Sequence, residues 1–375
     1  MLLSVSKKFL APALAASLLV PSSAFALLNI DGTRNQVFVF GNASIGYDSN
    51  IFAQNGGEGD VTFSASTGVE LKRRAGIIAV NMRAVFAYQG FNENKDQSSW
   101  NPSFFVELNK TTGRTTGAFT LHAFRTSRAD SAVNLRTQTW NFPIALNLKY
   151  PINDKFYVTS NSSYLRRSYA DTNAGLLDYT DYAQALDFFY VFTSKLDIVG
   201  GYRTRIGKTN LGTTTDHSFN IGLMNGLLPK VNGSVRVGYQ IREAETGETY
   251  SQFTISTGLT WNATRKLTVS NSIGRDFSTT ATGATVDSIT ASLSGTYVIN
   301  RRIQVDSGVA WGRSRFIGAI LPRRDDFFSW NVGGTFIWNE HFRVSANYTY
   351  FKNWSTFAFS DFERTGYSID VSSRF

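Results

Sequence analysis

The chain has no cysteine and only 7 prolines among 375 residues. Without cysteine, no disulfide can hold it together after export. With so few prolines, long stretches keep every backbone donor that a strand ladder needs. Histidine is scarce too, with 3 in all. His122, His217 and His341 lie far apart in sequence. Their spacing suggests no nucleophile, base and acid acting together, so neither an enzyme nor a metal or cofactor site is expected. Long apolar runs are missing beyond the first 26 residues, which excludes membrane-spanning helices of about 20 residues. The formal net charge is +9. Its Lys and Arg residues are dispersed rather than clustered, and nucleic acid is not an expected partner.

The first segment reads as a secretory signal. Lys7 and Lys8 precede an apolar stretch from Phe9 to Val20. Pro21 to Ser23 break that stretch, and Ala24-Phe25-Ala26 forms a small-x-small cleavage site. The expected division is therefore a cleaved peptide, 1–26, and one domain, 27–375.

The rest of the chain is dominated by a two-residue rhythm. In 342–350, Phe342, Val344, Ala346, Tyr348 and Tyr350 alternate with Arg343, Ser345, Asn347 and Thr349. Val235, Val237, Tyr239 and Ile241 likewise oppose Ser234, Arg236, Gly238 and Gln240. Such alternation puts apolar residues on one face of a strand and polar residues on the other. About eighteen such segments are expected: 36–48, 61–73, 77–91, 100–110, 115–129, 137–150, 155–169, 179–193, 196–208, 217–228, 231–243, 249–261, 266–277, 286–299, 303–316, 326–338, 342–353 and 365–375. Short turns alternate with longer polar or Gly-rich loops between them. A soluble sandwich, β-helix or propeller would put charge on its outer faces. Here the polar faces are rich in Ser, Thr, Asn and Gly, and aromatics such as Tyr150, Tyr182, Trp311, Trp330 and Trp338 gather near strand ends. The expected fold is all-β: a transmembrane antiparallel up-and-down barrel of about 18 strands, with 16 as the alternative. Its short turns would be periplasmic, its longer loops external and both termini periplasmic. The last strand ends Tyr367, Ile369, Val371, Phe375. Tyr367 and the terminal Phe375 resemble the signal read by outer-membrane barrel assembly machinery.

The opening Gly46-Tyr47-Asp48-Ser49-Asn50-Ile51-Phe52 is similar to the first motif of the putative beta-barrel porin 2 family. So are the turn-strand units Asn153-Asp154-Lys155-Phe156, Asn300-Arg301-Arg302-Ile303 and Asn339-Glu340-His341-Phe342. The resemblance implies an outer-membrane barrel of a Gram-negative bacterium. It supplies no catalytic residues, and some members lie near exopolysaccharide or exosortase systems.

Eighteen strands would enclose a lumen too wide for side chains to fill. Alternation places the cations Arg83, Lys149, Arg167, Arg203, Arg205, Arg236, Arg242 and Arg343 on its wall. The anions are Glu70, Glu107, Asp187, Asp197, Asp306 and Asp370. Arginines toward the outer rim suggest a slight anion preference, while mutual pairing of these charges would leave none. Phe38, Phe40, Phe105, Phe124, Tyr157 and Phe189 share the inward face. No loop looks long enough to constrict or plug the pore. Arg323 and Arg324 form an external segment with Asp325 and Asp326, open to lipopolysaccharide or to mutual pairing. The expected function is a porin-like channel for small hydrophilic solutes. The alternatives are exopolysaccharide export or surface assembly, and a structural or adhesive barrel with an occluded lumen. Expected partners are outer-membrane lipid and lipopolysaccharide, the assembly machinery and the solute or polysaccharide. A homo-oligomer is compatible with the sequence.

Overall fold

The computed structural model describes residues 28–29, 35–74, 76–170, 175–317 and 322–375. The proposed signal segment, 1–26, lies outside the described residues. Eighteen long strands follow one another: β1 (Asn35–Asp48), β2 (Asp60–Arg73), β3 (Ala79–Phe91), β4 (Ser103–Lys110), β5 (Thr116–Asp130), β6 (Leu135–Pro151), β7 (Phe156–Tyr169), β8 (Tyr179–Val191) and β9 (Leu196–Lys208). They continue as β10 (Thr213–Leu228), β11 (Val231–Glu243), β12 (Thr249–Asn262), β13 (Leu267–Thr279), β14 (Thr285–Val298), β15 (Ile303–Ile317), β16 (Arg323–Ile337), β17 (Phe342–Ser355) and β18 (Phe362–Arg374). Two-residue strands at Leu28–Asn29 and Ser99–Trp100 add short pairings to β1 and β3. Among the described residues, no helix is long and apolar enough to cross a membrane.

Each strand pairs antiparallel with the next, and β18 returns to β1 from Phe40↔Arg374 to Asp48↔Gly366. The sheet is therefore a closed 18-stranded barrel. Closure pairs every strand with two neighbours, which a sheet in lipid needs because each unmade backbone bond costs several kcal/mol. The β12–β13 ladder stops partway, at Ser256↔Gly274. Phe375 completes the seam: Val39 N donates to its carbonyl (3.0 Å) and Phe375 N to the Val39 carbonyl (2.9 Å). Its ring stacks on His341 at 4.9 Å.

The outer surface carries the apolar residues of the alternating pattern. Phe86, Ile221, Phe253 and Ile369 are all more than half exposed. That is the reverse of a soluble core, and it fits hydrocarbon outside. Rings pair across neighbouring strands toward both ends, as in Tyr164–Tyr182, Tyr202–Phe219 and Phe156–Tyr190.

The two ends of the barrel differ in construction. At one, here the turn end, the connections cap themselves. Asn153, Asn300 and Asn339 each accept at Oδ1 from the backbone N–H two and three residues on, at 2.8–2.9 Å. Thr193 and Thr264 do the same through Oγ1. This is why Asn or Thr recurs there: a short polar side chain stands in for a turn's backbone bond. At the opposite loop end, several connections are shorter than the sequence suggests. Strands β10, β16 and β18 begin three or four residues earlier than their hydrophobic alternation does. Beyond the lipid belt the ladder continues without needing a greasy face.

Candidate functional site

By register, the charged residues singled out in the sequence lie on the face opposite the exposed apolar ones. Phe38↔Glu70, Glu70↔Arg83, Arg83↔Phe105 and Phe105↔His122 form one cross-strand row from β1 to β5. The Arg83 guanidinium lies over the Phe40 ring at 4.2 Å. Phe40 itself lies flat over Gly68, where an added Cβ would stand 2.4 Å from the ring. His122 stacks on Phe124 at 4.2 Å and shares a 2.8 Å hydrogen bond with Ser103 Oγ. It is a lining residue with a local partner. On another part of the wall, Tyr157 stacks on Phe189 at 4.4 Å, with Lys149 3.9 Å above the Tyr157 ring. Tyr157 donates to Asp197 Oδ2 at 2.6 Å.

Several of the arginines singled out in the sequence are paired: Arg203, Arg205, Arg236 and Arg242 each meet a carboxylate. Arg236 Nη1 pairs with Asp187 Oδ1 at 2.9 Å, and Asp187 reaches it across Gly201, where a Cβ would sit 2.0 Å from that oxygen. Asp216 takes Arg205 and Arg242 together: Arg205 Nε donates to Oδ2 (2.7 Å) and Arg242 Nε to Oδ1 (2.6 Å). Arg203 Nη2 reaches both oxygens of Asp276 at 3.0 Å. Near the turn end, Glu70 pairs with Arg374 and Lys72. Of the charges named from sequence, Arg83, Lys149, Arg167 and Arg343 remain without an ion pair among the described residues, as do Glu107, Asp197, Asp306 and Asp370. Within the set named from sequence, four unpaired cations thus stand against four unpaired anions. The sequence reading missed Asp216 and Asp276. Asp216 falls before the point where hydrophobic alternation begins in β10. Asp276 has the parity of Gly274 and Ser272, which was the available signal.

The second departure concerns the width of the lumen. Strands β12 and β13 pair only from Ser256↔Gly274 to Asn262↔Thr268. Above that point, Arg275 to Thr279 pair with β14 alone. They tuck behind the inner faces of β9 to β11. Arg242 Nη1 donates to the Ser278 carbonyl at 2.9 Å, Arg205 donates to the Phe277 carbonyl, and Phe277 is buried beneath the Arg242 guanidinium. The tip beyond this strand meets the connection before β8, where Leu177 N donates to the Ala281 carbonyl at 2.8 Å.

Other connections complete a roof. Asn134, between β5 and β6, is 2% exposed. Its side chain donates to the Ala53 carbonyl at 2.7 Å and accepts from Ser360 Oγ. Arg323 donates to the carbonyls of Ser131 and Ala132 at 2.7 and 2.8 Å while pairing with Asp325. Arg324 is paired with Asp326 at 3.3 Å. Among the described residues, these bonds tie together loop-end connections that lie far apart in the sequence. Length along the chain gives no sign of these contacts, because they form between the tips of different connections.

The shape is that of porin-like barrels of the outer-membrane type. OpdQ of Pseudomonas aeruginosa superimposes with a TM-score of 0.52 at 7% identity, over 91% of this chain and 97% of that one. OccK3 (OpdO) of the same organism gives 0.49 at 8% identity, over 90% and 95%. The FrpB iron transporter of Neisseria meningitidis gives 0.47 at 11% identity over 84% of this chain, which spans only 62% of the length of FrpB. At 7% identity the OpdQ match speaks to the fold alone. No curated protein is matched. Residues 202–375, from within β9 to the final strand, match the family model described as putative beta-barrel porin 2.

Proposed function

We propose that the protein is a channel of the Gram-negative outer membrane that passes small hydrophilic solutes. The observation that carries this reading is the closed 18-stranded circuit, apolar outside and lined by charged, hydroxyl and amide side chains within. A barrel of this size encloses water rather than a packed core. In the same reading, residues 1–26 are removed on export, leaving 27–375 as the barrel. The capped turns face the periplasm with both termini, and the roof faces outward. Tyr367 and Phe375 present the last strand to the assembly machinery. The charged outer rim, with Arg313 bound to Asp326 at 2.6 Å, meets lipopolysaccharide.

The test is conductance of the purified protein in planar bilayers, with a sugar titration for block. Stepwise conductance supports the channel. A folded, inserted barrel that never conducts overturns it. The roof favours a second reading, a structural or polymer-assembly barrel with an occluded lumen. Loss of surface polymer on deletion, together with silent bilayers, would select that one.

A further inference from the structure

The β12–β13 seam supplies two alternative partners for one piece of strand. Residues Arg275 to Thr279 now lie inside the wall, held by side chains of β9 and β11. The edge of β12 from Tyr250 to Ile255 pairs with β11 and, among the described residues, with no strand on its other side. Continuing the Ser256↔Gly274 register would bring Ile255 opposite Arg275, Thr254 opposite Asp276 and Phe253 opposite Phe277. The sequence is prepared for that arrangement. Tyr202↔Phe219, Phe219↔Tyr239 and Tyr239↔Phe253 form a row of outward rings. Phe277 would be the next ring in the row, yet in the tucked strand it is 2% exposed while Phe253 stands 76% exposed.

The latch holding the tucked position is an ion pair within reach of lumen water. Asp276 and Arg203 keep 39% and 33% of their side chains exposed. The neighbouring Asp216–Arg242 pair is sealed, at 2% and 1%. Arg203 offers both Asp276 oxygens a donor, and Arg205 Nη1 adds a contact of 3.3 Å to Oδ2. Guanidinium pairs of this kind bind carboxylate or phosphate from any source.

We propose that Arg203 and Arg205 form a binding site for a carboxylate- or phosphate-bearing solute. In the tucked state the chain's own Asp276 occupies it. A soluble anion that takes the place of Asp276 frees β13 to complete its ladder with β12. The strand gives up the latch, the bonds from Arg205 and Arg242 to the Phe277 and Ser278 carbonyls, the burial of Phe277 and the Leu177–Ala281 bond, and gains backbone pairing along the open edge. The lumen's loop end widens as it moves. This inference rests on the channel reading for its purpose, but strand position is measurable whether or not the barrel conducts.

The chain has no cysteine, so a Phe253→Cys, Phe277→Cys double variant reports that position with a short thiol cross-linker. The two sites are on opposite sides of the wall when tucked and face each other when zipped. Little cross-linking is expected in buffer, a several-fold rise with succinate, and none with glucose. Adding Asp276→Asn should give the high yield without succinate. A Trp261→Cys, Val269→Cys pair, opposed in the existing ladder, verifies folding and reagent access. If that control links while the reporter stays unlinked in the Asp276→Asn background, the strand does not zip and the proposal fails. If reporter yield ignores succinate with Asp276 present, the anion site fails.

Discussion

The turn end and the loop end of this barrel are built on opposite plans. At the turn end five connections are capped within three residues, as when Asn300 bonds the N–H groups of Arg302 and Ile303, and the longer bonds reach only the adjoining turn, as from Lys266 to the Ile299 carbonyl. At the loop end the bonds run between distant segments: Asn134 to Ala53, Arg323 to Ser131, Arg205 to Asp276. One end is capped chiefly within its own hairpins. At the other, bonds between distant segments add to the local caps.

The strongest challenge to that contrast is Asp216→Ala. It would leave Arg205 and Arg242 buried without their shared carboxylate, and breaking such a pair costs about 3–5 kcal/mol. Denaturant unfolding in lipid or detergent should show that loss; a change below about 1 kcal/mol would mean the loop-end network is not cooperative. Asn134→Ala comes next. It removes two buried hydrogen bonds, each worth about 1 kcal/mol net, and strands their partners. The expected result is a folded barrel with faster proteolysis at Ala53 and Ser360, and with larger conductance if the roof limits flow. Asn300→Ala should cost about 1 kcal/mol and disturb only its own hairpin. Hydrogen exchange spreading beyond β14 and β15 would contradict local capping. The smallest effect belongs to Glu107→Gln, a lumen anion without an ion pair. Its stability change should stay within about 0.5 kcal/mol. The reversal potential in a salt gradient should move slightly toward anions.

The same contrast explains what could be read from the sequence. Strand number and facing were legible because alternation is local. Val235, Val237 and Tyr239 declare their side of the wall without reference to any other strand. The turn caps were legible as a repeated Asn followed by a new strand. The tuck of β13 was not. Arg275 to Thr279 alternate as well as any wall segment, and Phe277 even has the parity of a lipid-facing ring. Only the carbonyls of Phe277 and Ser278, taken by arginines of other strands, reveal the displacement. Pairing partners for Arg203, Arg205 and Arg242 were hidden for the same reason. A carboxylate several strands away leaves no mark in the spacing of residues along one strand.

Joining the first strand to the last has a kinetic meaning. Asp48 holds Arg364, 316 positions further along, at the same seam that Val39 and Phe375 close. During synthesis the outer edge of β1 must wait for almost the whole chain before its partner exists. Such long-range pairing is slow, and an unclaimed edge invites other chains. Until the terminal aromatic arrives, one margin of the sheet stays open to whatever strand meets it first.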